Sequence, residues 1–391
     1  MRHYKYLIVG GGMTADAAVR GIRERDGTNQ VGIVTAESHA PYARPPLSKA
    51  LWRGEPLESI WRGTDALGVD LHLGRRAQTL DVAGHSVTDD AGKTYRYDRL
   101  LLATGARPRR LPFGGEDIIY FRTLDDYTRL KSLAQREARI VVVGAGFIGT
   151  EVAAALTGAG ARVTLIFPEE AIGSRVFAPD LAAFLSKTYQ EHGVEVLARE
   201  SVEKLERRGE ALILGTRSGR SLQAEAVVAG VGVEPNVELA QAAGLATDNG
   251  IVVDEQLRTT DGDVFAAGDV ASAPSPLGNR IRVEHEDAAL TMGKLAGRLM
   301  AGANETYDHV PFFYSDLFEH GYEAVGALDA RLDVFADWKE PFREGVVYYL
   351  REGLVRGVLL WNVWGQVDAA RDLLASANPV RPADLQGRIA A

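Results

Sequence analysis

The sequence contains no cysteine, and this absence removes several kinds of chemistry at once. Without a thiol there is no disulfide, no thiolate metal site, no iron–sulfur ligation and no catalysis by a cysteine nucleophile or a dithiol. Long apolar runs are also missing, and the one near the N-terminus is too short for a signal peptide. We therefore expect a soluble cytoplasmic protein without a metal site, whose chemistry is carried by something other than sulfur.

Positive charge is in deficit, because 44 Lys and Arg residues face 53 Asp and Glu residues and leave a net charge of -9. The resulting field repels phosphate backbones and anionic membrane surfaces, so nucleic acid is not an expected partner. The composition is otherwise that of a globular protein, with 46% hydrophobic and 25% charged residues. At roughly 150 residues per domain, a chain of 391 residues predicts two or three domains.

The N-terminal segment has the pattern of a dinucleotide-binding β-α-β unit. A β-branched and aromatic run over Tyr4–Val9 predicts a strand. Gly10, Gly12 and Ala15 then open a predicted helix, so that the backbone can approach a pyrophosphate bound by the helix N-terminus. Glu37 follows the next predicted strand, where a carboxylate holds a ribose hydroxyl. The order of these features predicts a nucleotide site, although a glycine triplet alone is also found in turns that bind nothing.

The same pattern recurs at Gly144, Gly146 and Gly149, after a second predicted strand. Two such units imply two dinucleotides, and a flavin with a nicotinamide forms a hydride-transfer pair. Glu169 follows the next predicted strand, where a carboxylate would repel a 2′-phosphate, and this favours NADH over NADPH. Arg175 lies nearby and could receive that phosphate, which leaves the preference open.

Six strings give the chain a specific resemblance, namely VGGGMTADAA, PYARPPLSKALW, LLATGARP, VVGAGFIGTEVA, GVGVEPN and VFAAGDVA. In this order they resemble the FAD- and NAD(P)-dependent pyridine nucleotide-disulfide reductase superfamily, which includes glutathione, ferredoxin and rubredoxin reductases. Four further strings are similar to its apoptosis-inducing factor branch: LIFPEEAIGSRVFAPDL, RVEHEDAALTMGKLAG, YSDLFEHGYEAVG and YYLREGLVRGVLLWNVWGQ. The likeness covers nearly the whole chain, and it implies FAD and NAD(H) as cofactors.

The resemblance also implies which residues bind each cofactor. Those expected at FAD are Gly10, Gly12, Ala15, Glu37, Arg44, Lys49, Thr104, Gly105, Asp269, Glu284 and His285. Those expected at NAD are Gly144, Gly146, Phe147, Gly149, Glu151, Glu169, Arg175 and Gly232. Lys49, paired with Glu151, is implied near the reactive flavin nitrogen, and Phe147 against the nicotinamide. Together with His285, these three are the expected catalytic residues.

Several of these residues have an ordinary alternative role when they are considered one at a time. Asp269 could be the N-cap of a following helix, and Lys49 could be a solvated surface residue. Phe147 could simply pack at the start of a helix, and His285 could be a structural histidine. The sequence also departs from the family pattern at Tyr314, which stands where relatives carry a tryptophan.

We predict an α/β fold with two Rossmann-like, glutathione-reductase-like dinucleotide-binding domains and a C-terminal α+β domain. Residues 1–115 and 241–308 are assigned to the FAD-binding domain, whose two parts flank the NAD-binding domain at 116–240. Residues 309–391, where aromatic-rich strands begin, are assigned to a C-terminal domain of the dimerisation or interface type. A homodimer is therefore a possible assembly.

Three functions fit these observations. The first is an NADH-dependent FAD oxidoreductase that passes electrons to a quinone, oxygen or another acceptor, with reduced flavin and NAD held as a long-lived charge-transfer complex. The second is an NADH-dependent ferredoxin or rubredoxin reductase, for which Arg107, Arg109 and Arg110 are the candidate basic docking residues. The third is a redox-sensing interaction protein whose output is dimerisation. Reductases that need a thiol beside the flavin are excluded, because the chain has none.

Overall fold

The computed structural model describes residues 2–278, 280–376 and 378–390. Its helices are α1 (Met13–Arg23), α2 (Leu124–Ala134), α3 (Phe147–Gly158), α4 (Pro179–Glu191), α5 (Glu238–Ala242), α6 (Glu286–Met300) and α7 (Val367–Ala375). Its strands are β1 (Arg2–Val9), β2 (Val31–Val34), β3 (Val69–His72), β4 (Ala77–Asp81), β5 (Ser86–Asp89), β6 (Thr94–Leu102), β7 (Ala106–Pro108), β8 (Ile118–Tyr120), β9 (Arg139–Val143), β10 (Arg162–Ile166), β11 (Glu195–Leu197), β12 (Val202–Arg208), β13 (Ala211–Thr216), β14 (Ser221–Ala224), β15 (Ala226–Ala229), β16 (Val233–Pro235), β17 (Ile251–Val252), β18 (Val264–Ala266), β19 (Ala271–Pro274), β20 (Arg280–Ile281), β21 (Phe312–Leu317), β22 (His320–Gly326), β23 (Asp333–Glu340), β24 (Glu344–Arg351) and β25 (Leu354–Trp361).

The chain divides into two compact units. The first unit comprises Met1–Ala43, Leu57–Arg107 and Glu234–Pro311. The second unit comprises Arg44–Pro56, Pro108–Val233 and Phe312–Ala391. Each unit is assembled from segments that are distant in the sequence, so the short excursion Arg44–Pro56 belongs with a segment that begins only at Pro108.

The first unit is built on a sheet with the strand order β3-β2-β1-β6-β5-β4, to which β18 adds beside β6. Strands β3, β2, β1, β6 and β18 pair in parallel, whereas β4 and β5 continue the sheet as antiparallel strands. All four residues of β2 are buried, as expected for a parallel strand covered on both faces. This arrangement places the carboxyl ends of β1 and β2, where the first nucleotide site was predicted, at one edge of the sheet.

Helices α1 and α6 cross in backbone contact in the first unit. A Cβ atom added to Gly297 would lie 2.0 Å from the carbonyl oxygen of Ala18, and one added to Gly21 would lie 2.0 Å from that of Lys294. Only glycine allows this approach, because any side chain at either position would collide with the opposite backbone. The crossing fixes α1, the helix that follows the first glycine fingerprint.

The second unit contains a parallel sheet with the order β11-β10-β9-β15-β8 and an antiparallel sheet with the order β12-β13-β14. Its C-terminal part is a five-stranded antiparallel sheet with the order β21-β22-β25-β24-β23. Helix α7 packs against β22 and β25 of that sheet. Strand β21 is an edge strand that contacts α3, and this contact brings C-terminal residues to the second glycine fingerprint.

The predicted α/β fold with two Rossmann-like parts and a C-terminal α+β part is confirmed.

The expectation of a helix directly after Asp269 is wrong. Gly268 has a φ of +75°, and Asp269 lies in the short 3-10 turn Gly268–Val270, from which the chain enters β19. Asp269 therefore does not cap a helix. The predicted helix over 284–301 begins at Glu286, so Glu284 lies before it. In the part of the chain that the structure describes, no helix combines the length and the apolarity needed to traverse a bilayer.

Candidate dinucleotide sites

The first glycine fingerprint forms the turn between β1 and α1. Gly10 has a φ of +115°, and an added Cβ would lie 2.0 Å from the carbonyl oxygen of Ala103. Gly12 is the N-cap of α1, and the buried Ala15 lies in its first turn. These residues bring backbone rather than side chains to the N-terminus of a helix, where phosphate groups bind. The turn therefore fits the pyrophosphate of a dinucleotide.

The remaining residues predicted at the first site lie on loops around this turn. Glu37 follows β2, and its Oε2 accepts a hydrogen bond of 2.6 Å from the Tyr42 hydroxyl. Thr104 and Gly105 follow β6 and are fixed by Asn236, which bonds to the Thr104 carbonyl oxygen at 2.8 Å and donates its backbone N–H to the Gly105 carbonyl. Sequence reasoning missed Asn236, although it ends one of the strings that carry the resemblance.

Helix α1 is anchored by a buried carboxylate that sequence reasoning also missed. Asp16 accepts hydrogen bonds from Arg20 at 2.9 Å, from Arg62 at 2.6 Å and from Thr64 at 2.7 Å. Burial acts to raise the pKa of the Asp16 carboxyl, but these donors outweigh burial and hold that pKa below its ordinary value. A permanently charged carboxylate thus ties the first turn of α1 to the segment that follows residue 57.

Asp269, Glu284 and His285 lie on the two loops at the end of β18 and the start of α6. Arg282, which sequence reasoning missed, donates to the Asp269 carbonyl oxygen at 3.2 Å and to the Glu284 carboxylate at 2.5 Å. Burial lowers the pKa of His285 to about 4, although the carboxylates of Asp269 and Asp287 oppose the shift. The His285 imidazole is consequently neutral at physiological pH.

The neutral state of His285 predicts a dependence of stability on pH. The pKa is lower in the folded chain than the usual value in an unfolded one, so the unfolded state takes up the proton first as pH falls. We expect this group to cost about 3 kcal/mol of unfolding free energy between pH 6.5 and pH 4, with no cost above that window. Urea unfolding at several pH values should show the cost in the wild type and its absence in His285→Gln. Parallel curves for the two proteins would contradict the prediction.

The second glycine fingerprint forms the turn between β9 and α3. Gly144 has a φ of +97°, and an added Cβ at Gly149 would lie 1.9 Å from the Gly144 carbonyl oxygen. Gly146 differs, because an added Cβ would meet only the Gly230 carbonyl oxygen, at 3.9 Å. The space beside Gly146 at the N-terminus of α3 is therefore open within the protein and fits a pyrophosphate.

Phe147 begins α3, and its side chain is 41% exposed. Its ring lies 5.2 Å from that of Phe313 on β21, at an angle of 53°. Gly232 has a φ of +93° and accepts a backbone hydrogen bond of 2.9 Å from Arg109. The exposed fraction of Phe147 is large for a residue that simply packs at the start of a helix.

Glu169 follows β10 and forms a salt bridge with Arg175. The side chain of Glu169 is 24% exposed, whereas that of Arg175 is 79% exposed. The acid therefore occupies the position after the second strand of the fingerprint, where a ribose is held. Because the Glu169 carboxylate already binds the Arg175 guanidinium, it partly neutralises the positive charge with which Arg175 would bind a phosphate.

Lys49 and Glu151 meet in the second unit, 102 positions apart in the sequence. The Lys49 Nζ atom lies 2.6 Å from Oε2 of Glu151, and the two side chains are 10% and 3% exposed. Ser48 donates to the same oxygen, and Ser315 donates to Oε1, each at 2.6 Å. The ammonium of Lys49 also lies 5.4 Å from the centre of the Tyr314 ring, within cation–π range. Sequence reasoning missed both serines.

The structure separates the residues predicted for FAD between the two units. Arg44 and Lys49 lie in the second unit, whereas the other predicted flavin residues lie in the first. Arg44 precedes the 3-10 turn Pro45–Ser48 and donates to the Arg122 carbonyl oxygen at 2.9 Å. Lys49 follows that turn. The PPLSK string therefore folds with the second glycine fingerprint.

Two dinucleotide turns of this kind, together with a chain that has no thiol, define an oxidoreductase that binds FAD and NAD(H) and has no redox-active disulfide. Residues 4–293 match the family described as pyridine nucleotide-disulphide oxidoreductase, and the chain belongs to that family. Residues 335–376 match the family described as apoptosis-inducing factor, mitochondrion-associated, C-term. The predicted resemblance is thereby confirmed.

Known proteins similar to the chain include an apoptosis-inducing factor and ferredoxin reductases. It is 30% identical to the putative apoptosis-inducing factor 1, mitochondrial, of Drosophila melanogaster over 95% of this chain, and spans 63% of that protein. It is 34% identical to the 3-phenylpropionate/cinnamic acid dioxygenase ferredoxin–NAD(+) reductase component of Photorhabdus laumondii over 84% of this chain and 86% of that protein. A solved covalent putidaredoxin reductase–putidaredoxin complex matches with a TM-score of 0.90 and 30% identity, over 98% of this chain and 96% of that one.

Proposed function

We propose that this protein is an NADH-dependent reductase that passes electrons through FAD to a small iron–sulfur protein. The supporting observation is the match over nearly the full length of both chains to the structure named for putidaredoxin reductase and putidaredoxin. The Photorhabdus relative, named a ferredoxin–NAD(+) reductase component, also has 86% of its length covered. The Drosophila relative has only 63% of its length covered, so its properties are a weaker guide.

The residues of this chain perform binding and positioning in that reaction. Bound FAD supplies a ring that accepts two electrons as hydride and releases them singly. Glu169 would accept hydrogen bonds from the adenosine ribose of NADH, and the open space beside Gly146 would hold its pyrophosphate. Because the chain has no thiol, electrons leave the flavin directly for the external acceptor.

The preference for NADH depends on Glu169 in this proposal. Glu169→Gln removes the charge that repels a 2′-phosphate and releases Arg175 to bind it. We expect the ratio of kcat/KM for NADPH to that for NADH to rise by about 10-fold to 100-fold, the worth of a hydrogen bond to a charged group. Glu170→Gln is the matched control, since that neighbouring acid pairs with Arg199 on the exposed surface. If the ratio of kcat/KM for NADPH to that for NADH is the same in both variants, the assignment of Glu169 to the NAD site is wrong.

The candidate docking arginines are already engaged inside their own units. Arg107 pairs with Glu234 at 2.8 Å and also with Glu238. Arg110 lies 3.1 Å from Glu116. Arg109 donates to a backbone carbonyl oxygen, that of Val233, at 3.1 Å. Two carboxylates at Arg107 and one at Arg110 offset the charge of these two arginines, so the net positive charge of the candidate docking residues is smaller than their number suggests.

The experiment that tests the proposal compares acceptors at constant NADH. The purified protein is assayed with a [2Fe–2S] ferredoxin coupled to cytochrome c, with menadione and with oxygen, each at low and high salt. We expect ferredoxin to give the largest kcat/KM, with only a modest loss at high salt because Arg107 and Arg110 are paired with carboxylates. A larger kcat/KM for menadione than for ferredoxin would contradict the proposal.

The match of residues 335–376 to the apoptosis-inducing factor family favours a second candidate function. In that case the acceptor is a quinone or oxygen, and the reduced protein with bound NAD persists as a charge-transfer complex. Anaerobic addition of NADH followed by air distinguishes the two candidates. A long-wavelength absorbance band that decays slowly in air favours the second, whereas rapid reoxidation by ferredoxin without such a band favours the first. Size measurements with and without NADH in the same samples report any dimerisation.

A further inference from the structure

Glu151 is the centre of a buried hydrogen-bond network in the second unit. Its Oε2 atom accepts from Lys49 and from Ser48, and its Oε1 atom accepts from Ser315. All three distances are 2.6 Å, and the side chains of Glu151 and Ser315 are almost fully buried. A carboxylate held through both oxygens cannot rotate about its terminal bond. The direction in which it presents negative charge to Lys49 is therefore fixed by the serines.

Ser315 is itself oriented by a tyrosine on the adjacent strand. Tyr322 on β22 pairs directly opposite Ser315 on β21, and their hydroxyl groups are hydrogen-bonded. Burial, reinforced by the negative charge of Glu151, raises the pKa of Tyr322, so its hydroxyl keeps its proton. Because Ser315 donates its single proton to Glu151, Tyr322 is the donor in the hydrogen bond between the two hydroxyl groups. Hydrogen bonds in such a chain strengthen one another in a low-dielectric interior.

The other buried tyrosine near Glu151 does not compete for this position. The Tyr189 hydroxyl donates to the Thr150 carbonyl oxygen at 3.0 Å. Arg53, on the excursion that carries Lys49, lies 2.9 Å from Asp316, the residue after Ser315. The excursion is thus attached to β21, a strand of the C-terminal sheet, directly at Asp316 and through Glu151 at Ser315.

We propose that Ser315, oriented by Tyr322, is a positioning residue that holds Glu151 and through it the Lys49 ammonium for reduction of the flavin by NADH. This inference rests on the proposed function, in which Lys49 acts at the flavin. It gives the C-terminal sheet a direct part in flavin reduction, since Ser315 and Tyr322 both belong to that sheet.

The first test uses unfolding and needs no turnover. Urea unfolding of Ser315→Ala, Glu151→Gln and the double variant forms a cycle that isolates the interaction of the two side chains. We expect the double variant to lose clearly less stability than the sum of the two single losses. Additive losses would overturn the proposal, because they would mean that Ser315 does not act through Glu151.

The second test follows flavin reduction by NADH in the holoenzyme under anaerobic stopped flow. Ser315→Ala should lower the limiting rate about tenfold, the effect of losing one hydrogen bond to a charged group. The NADH concentration at half-maximal rate should change little, and Ser315→Thr, which keeps the hydroxyl, should restore the limiting rate. A purely structural role of Ser315 would not lower the limiting rate while leaving the half-maximal NADH concentration unchanged. A wild-type limiting rate in Ser315→Ala overturns the proposal.

Tyr322→Phe decides the matter if Ser315→Ala does not fold. Phenylalanine keeps the ring stacked on Trp361 and removes only the donor to Ser315. A slower limiting rate supports the proposal, and an unchanged rate overturns it. If NADH does not reduce the flavin of the wild-type protein, the proposed function is overturned instead. The unfolding cycle would still report on the hydrogen-bond network around Glu151.

Discussion

Gly146→Ala is expected to abolish most NADH affinity while leaving the fold and the flavin content unchanged. The added methyl group meets only the Gly230 carbonyl oxygen, at 3.9 Å, and the backbone of Gly146, with φ of -79° and ψ of -176°, is accessible to alanine. The methyl group instead enters the space where the pyrophosphate approaches the N-terminus of α3. Losing those charge-assisted hydrogen bonds should raise the KM for NADH by about 10-fold to 100-fold.

Two comparisons make this prediction specific. Gly158→Ala lies at the other end of the same helix, where an added Cβ meets nothing within 4 Å, and should leave the KM unchanged. Flavin absorbance per polypeptide reports on the first fingerprint, which we propose binds FAD, and should be that of the wild type in both variants. A loss of flavin in Gly146→Ala with unchanged KM for NADH would reverse the assignment of the two fingerprints.

Removing one partner of the Lys49–Glu151 pair should cause the largest loss of stability. Both side chains are buried, so Lys49→Met leaves a carboxylate, and Glu151→Gln leaves an ammonium, without its counter-charge. We expect each single variant to lose about 3–5 kcal/mol of unfolding free energy, as is typical for a broken buried pair. Urea unfolding monitored by circular dichroism measures this loss.

The double variant Lys49→Met/Glu151→Gln is the informative control. With neither charge present, the desolvation cost disappears together with the attraction, so the double variant should be more stable than either single one. Arg53→Met, which breaks the exposed pair with Asp316, should cost no more than about 1 kcal/mol. A double variant less stable than both single variants would mean that the pair is not the source of the loss.

The sequence predicted those features of the fold and sites that depend on neighbours along the chain. Gly10 and Gly144 follow strands whose ends are marked by the change from apolar residues to glycine, and both adopt positive φ in the structure. The helix after Asp269 was wrong because the same signal, a buried strand followed by Gly-Asp, also precedes a turn into another strand. Local pattern does not distinguish these two continuations.

Contacts between distant segments could not be read from spacing. The meeting of Lys49 and Glu151 was implied only by the family resemblance, and Ser315, 164 positions from Glu151, carried no signal at all. Such contacts depend on the register of β21 against β22 and on the attachment of residues 44–56 to the second unit. The pairing of Arg107, one of the candidate docking arginines, could not be read from spacing either, since its acidic partner Glu234 lies 127 positions along the chain.

An anaerobic titration of the purified yellow protein with NADH tests the central claim most directly. The chain has no cysteine, so the flavin is the only redox group that the account provides, and it accepts two electrons. We predict that about one NADH per bound FAD completely bleaches the visible flavin absorbance. A requirement for about two equivalents would reveal a second two-electron group, and a flavin that NADH leaves oxidised would contradict the account altogether.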